Sequence, residues 1–178
     1  MNTPIINYFL GIGMLLTLTF LPKKIYWLYG INKKEELKYL PYIAGLLPVI
    51  YTAFFEVYVR LAGYPDLSLE VFLNFLQHSI GGGVAVGLIS FYLYQNFKTQ
   101  IPWLKDWRIK LIFLLGIVSI FGVANEIIEL NLDLLNFSEY SRDRYDTWVD
   151  LVANTTGAVA VFYSLQILRN LRHKSNLR

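Results

Sequence analysis

Five apolar runs, each near the length of a bilayer-crossing helix, take up most of this 178-residue chain. They extend from Ile5 to Leu21, Tyr42 to Val59, Leu69 to Tyr94, Leu111 to Leu130 and Trp148 to Leu168. A helix needs about 20 apolar residues to cross the hydrocarbon core. In that solvent every backbone N–H and C=O must be bonded internally, which leaves helices or a closed barrel. The runs are continuous and do not alternate. They predict an all-α fold: one polytopic domain over residues 1–178 with five transmembrane helices. The charged share supports this, at 16 % against about 25 % in soluble domains. No repeat, low-complexity tract or long linker divides the chain.

The first run differs from a secretory signal peptide. It lacks a basic leader, and Lys23 and Lys24 follow it in place of a small-residue cleavage site. It is read as a retained span. Thirteen of the 16 Lys and Arg fall after the first, third and fifth runs. They are Lys23, Lys24, Lys33, Lys34 and Lys38, then Lys98, Lys105, Arg108 and Lys110, then Arg169, Arg172, Lys174 and Arg178. Arg60, Arg142 and Arg144 fall on the other side. Basic loops stay cytoplasmic, so the N-terminus is expected outside and the C-terminus inside a cell inner (plasma) membrane. Trp27, Trp103, Trp107 and Trp148 sit near run ends, as interfacial aromatics do. The net charge of +3 is accounted for by these loops, so nucleic acid is not an expected partner. Membrane lipids are, and further membrane subunits are open.

The absence of cysteine excludes disulfides, thiol nucleophiles and thiolate metal sites. With two histidines, His78 and His173, a three-histidine zinc site within one chain is also excluded. Charges inside a span cost several kcal/mol and need a reason. Here they are Glu56, His78, Glu126, Glu129 and Asp150, with Asp146 at the rim. Under the expected topology all lie in the outer half of the membrane, on four different helices. Asp146, Asp150 and Asn154 share one helical stripe, and Glu126 and Glu129 are neighbours on another. Confined carboxylates repel, so they share protons, pair with a cation or bind a metal. Oxygen ligands suit Mg²⁺, Ca²⁺ or Mn²⁺, and one His adds Mn²⁺, Fe²⁺ or Zn²⁺. The same groups suit general acid–base work.

Plainer roles compete. Glu56 and Arg60 at i, i+4 can neutralise each other. A lone intramembrane His can serve helix–helix hydrogen bonding. Gly81-Gly82-Gly83 and the Gly83-x-x-x-Gly87 spacing suit close helix packing rather than a phosphate loop, since no P-loop lysine follows. Arg142 and Arg144, in the adjacent outer loop, either compensate the acids or hold an anionic head group or phosphate.

Phe75-Leu76-Gln77-His78 followed by glycines resembles the early His motif of YjdF-type inner-membrane proteins. Asn125-Glu126-Ile127-Ile128-Glu129 is similar to their Glu-x-x-Glu segment, and the stretch from Asp146 through Asp150 and Asn154 to Gly157 resembles their Asp-x-x-x-Asp…Asn-x-x-Gly signature. VanZ-like proteins have a similar acidic helix. The resemblance covers roughly the last three runs and implies a cell-envelope setting rather than a particular reaction. Asp143-x-x-Asp146-x-x-x-Asp150 also resembles a half-motif of UbiA-type prenyltransferases, whose second acidic motif this chain lacks.

Two expectations stand side by side. One is an enzyme acting on a lipid or lipid-linked envelope substrate, with a divalent metal (Mg²⁺, Mn²⁺ or Zn²⁺) or a His/carboxylate acid–base pair. In it Glu126, Glu129, Asp146 and Asp150 are ligands or bases, His78 a ligand or acid, and Asn154 an orienting group. The other is a non-catalytic accessory or binding subunit whose polar cluster is a structural network. A proton-coupled carrier fits less well, because the inner half of the spans holds few acids.

Overall fold

A computed structural model describes residues 12–13, 16–17, 19–21, 24, 39–63, 66–97, 106–134 and 144–175. Among these residues the chain is helical, with short turns and no strand. Helix α1 spans Leu40–Ala62, α2 Leu67–Gln77, α3 Ala85–Phe97, α4 Trp107–Leu134 and α5 Arg144–Ser175. A π-helical segment, His78–Val84, joins α2 to α3 in one rod. Four stretches are long and apolar enough to cross a membrane: Leu40–Val59, Ser68–Gln95, Trp107–Leu132 and Asp146–Leu168. They correspond to the last four expected spans. The first, 5–21, lies mostly outside the described residues. Its described positions are helical, with Thr19 buried and Ile12, Leu16 and Phe20 exposed.

Local chemistry explains the helix ends. Pro41 sits in the first turn of α1, where its missing N–H leaves no bond unmade. Gly63, at φ 83°, closes α1 and donates to Val59 O at 3.0 Å. That left-handed backbone is open to glycine at little cost. Asp66 then caps α2, its Oδ1 accepting from Leu69 N at 2.9 Å. Asp106 O accepts from Lys110 N, and the Asp106 carboxylate from Arg108 N, at the start of α4. Helix α4 therefore begins four residues before the apolar run, because Arg108 and Lys110 interrupt a hydrophobic pattern but not a helix.

The central element is the α2–π–α3 rod. Ala85, Val86, Ile89, Tyr92 and Leu93 of α3 meet Ala44 of α1, Leu114 and Val118 of α4, and Ala158 and Phe162 of α5. The tightest seam joins the π segment to α5. A Cβ built on Gly83 would collide with the backbone of Asn154 and Gly157, and one on Gly157 with Ser79 O and the Gly83 backbone. Small residues let helices approach this closely in lipid, where packing rather than water drives association. The triple glycine thus serves close packing, as its spacing implies.

Apolar side chains also face outward. Ile50, Phe54, Ile112, Ile120, Leu134, Trp148 and Leu168 are all exposed. The most apolar span, Trp107–Leu132, with a mean hydropathy of 2.3, has only 17 % of its window buried. This inversion of the soluble pattern suits a lipid surround. Lys110, grouped in sequence with a basic loop, is instead buried in α4. Its Nζ stands 4.7 Å from the Phe91 ring, 5.7 Å from Tyr94 and 5.1 Å from Phe162.

Candidate functional site

Polar side chains gather at the end of the bundle where α2 begins, α4 ends and α5 begins. Asp150 and Asn154 stand one turn apart on α5, only 1 % and 3 % exposed. His78 is the first residue of the π segment, and its Nε2 lies 3.3 Å from Asp150 Oδ2. Glu129 approaches from α4. One donor atom from each of His78, Glu129 and Asp150 lies within 4.8 Å of the others. Three helices distant in sequence thus supply one imidazole and two carboxylates to a single point.

Amides organise the carboxylates. Asn74, one turn before His78, donates its Nδ2 to Asp150 Oδ1 at 2.9 Å and to Asp146 Oδ1 at 3.2 Å. Asn125 Nδ2 donates to Glu129 Oε1 at 2.7 Å. Each of Asp150 and Glu129 therefore has one oxygen held by an asparagine. Glu126 lies beside Thr147, and its buried Oε1 has no hydrogen-bond partner among the described residues. Asp146, Glu126 and Glu129 all lie within electrostatic reach of Asp150.

Asn154 forms the floor. Its amide is wedged between Gly82 and Gly122. A Cβ on Gly82 would overlap the Asn154 side chain, and one on Gly122 would come 3.1 Å from Nδ2. Asn154 Oδ1 is buried and accepts no hydrogen bond from the described residues. A buried acceptor left without a partner costs about 1–3 kcal/mol.

The expected residues divide as follows. His78, Glu129 and Asp150 share one point, Asn154 lies beneath it, and Glu126 and Asp146 flank it. Glu56 lies on α1 and Arg144 opens α5, but their side chains are outside the described residues, as is the whole of Arg142. Asn74 and Asn125 were not singled out from sequence. The available signal was helical spacing: Asn74 precedes His78 by four residues and Asn125 precedes Glu129 by four. Screening spans for charge passes over amides, which are also costly in hydrocarbon.

An apolar groove of about 510 Å³ opens at the same end, between Val71, Phe72 and Phe75 of α2 and Trp148, Val149 and Val152 of α5. These α5 residues occupy a different face of the helix from the Asp146–Asp150–Asn154 stripe. No protein-family model, curated protein or solved structure matches the chain.

Proposed function

We propose that this chain is a multi-pass protein of the inner membrane that acts on a lipid or lipid-linked envelope substrate at a site facing outward. The observation carrying the reading is the buried His78–Asp150 contact, with Glu129 beside it and Glu126 flanking, at one end of four apolar helices. Ionisable groups inside spans are expensive unless they serve a function. The chemical means is a divalent metal or an acid–base pair, in which Asp150 orients the His78 imidazole for proton transfer. The groove between α2 and α5 supports a lipid substrate, because it offers an acyl or prenyl chain an apolar seat at the depth of the polar cluster. Arg142, just ahead of α5 in sequence, and Arg144, its first residue, suit an anionic head group. The outward orientation rests on the distribution of basic residues, and the envelope setting on the YjdF-type and VanZ-like resemblance. Five spans, with the N-terminus out, remain the topology proposed.

The test is conversion of lipid. Wild type and Asp150→Asn are reconstituted into liposomes of bacterial envelope lipids, and the lipids are followed by mass spectrometry. Wild type changes the mass of one lipid class, and Asp150→Asn inserts equally well but leaves it unchanged. No lipid altered by wild type overturns the enzyme reading. The asparagine clamps on Asp146, Asp150 and Glu129 favour the second reading, an accessory subunit with a structural polar network. In that case Asp150→Asn lowers thermal stability and no lipid changes.

A further inference from the structure

We infer that His78, Glu129 and Asp150 form a three-ligand site for one divalent transition metal, Mn²⁺, Fe²⁺ or Zn²⁺, with Asn74 and Asn125 as its positioning residues. This rests on the reading of the same cluster as the working site, and chooses metal over a bare acid–base pair.

Four observations support it. First, the donor set is right: one imidazole nitrogen and two carboxylates suit these ions, whereas Mg²⁺ prefers oxygen ligands and keeps its water. Second, the spacing is nearly right. Ligands about 2.1 Å from a common centre are at most about 4.2 Å apart. The donors here lie within 4.8 Å of one another, so small side-chain rotations close the site. Third, both carboxylates carry the outer contacts that metal ligands require. Asn74 holds Asp150 Oδ1 and Asn125 holds Glu129 Oε1, so an ion would bind through the other oxygen of each. Such outer partners fix ligand orientation.

The fourth observation is independent of the acids. Asn154 Oδ1 is buried, accepts no hydrogen bond from the described residues and fills the space where a Gly82 side chain would stand. Asn154 lies one turn below Asp150, and Gly82, against which it packs, lies one turn below His78. Three protein ligands leave coordination positions open, as in catalytic rather than structural sites. An ion also eases the charge problem, since +2 offsets much of the mutual repulsion among Asp150, Glu129, Glu126 and Asp146.

Purified full-length protein in detergent is stripped with chelator and titrated with MnCl₂ by electron paramagnetic resonance, then with ZnCl₂ by competition. One tight equivalent is expected, abolished in Asp150→Asn, Glu129→Gln and His78→Gln. Asn74→Leu and Asn125→Leu should weaken it about 10- to 100-fold, as loss of an outer partner does. Adding Asp146→Asn to Asn74→Leu should recover part of that loss, because an amide at 146 reaches Asp150 from one turn away on α5. A packing role for Asn74 would show no such recovery. Thermal scans of the metal-free variants identify any that fail to fold, and the three ligand variants sit on separate elements. Absence of a tight equivalent in wild type, or its persistence in all three ligand variants, overturns the metal site. Lipid conversion persisting in chelator-treated protein would overturn the metal while leaving the proposed function intact.

Discussion

Asp150 is the residue at which stability and chemistry separate. Its Oδ1 is held by Asn74 and its Oδ2 faces His78, with three further acids in electrostatic reach. Asp150→Asn keeps the shape and removes one of several repelling charges. Its thermal unfolding in detergent should therefore fall within about 1 kcal/mol of wild type, while bound metal or lipid conversion is lost. A loss of about 1–3 kcal/mol, the scale of a broken buried polar contact, with no bound metal in either protein, would identify a structural network. The ionisable half of this site was legible in the sequence, because a charge within an apolar run stands out. The amide half was not. Asn74 and Asn125 look like ordinary polar residues until the helices bring them against Asp150 and Glu129. Helical spacing placed Asp150 over Asn154, but only the fold shows that His78 joins Glu129 at the same point.

At the scale of elements, the π segment and α5 meet backbone to backbone. Gly157→Ala puts a Cβ 2.9 Å from Gly83 Cα and closer still to Ser79 O. Neither neighbour is the end of a flexible side chain. Forced separation should cost about 1–3 kcal/mol, as overpacking does. Gly116, with nothing within 4 Å of a built Cβ, is the control. Gly116→Ala should be neutral or stabilise by up to about 1 kcal/mol through helix propensity. Unfolding midpoints of the two variants in one detergent test the contrast. A second contrast lies on α4. Lys110→Ala removes a cation facing three rings and leaves a space beneath them. A loss of about 2–4 kcal/mol is expected from the same unfolding curves. Apolar length alone located four apolar helical stretches to within a few residues, though the last helix runs seven residues past its apolar part, to Ser175. It missed the first turn of α4, where Arg108 and Lys110 belong to the helix, and it gave no sign of the π turn. Glycines signal close approach, but their spacing is the same in an ordinary α-helix.

For the whole molecule, the basic segments predict which end of the bundle faces the cytoplasm. Single cysteines at Ser138 and Ser175 should react with a membrane-impermeant reagent from opposite sides of intact cells, Ser138 from outside. Reaction of both from one side would remove the outward orientation. The Gly83–Gly157 seam has a consequence that does not depend on orientation. Gly83 and Gly157 set the π segment against α5 at the level of the Asn154 carbonyl, so a substitution that parts the two there also displaces Asn154 and, one turn along the same helix, Asp150.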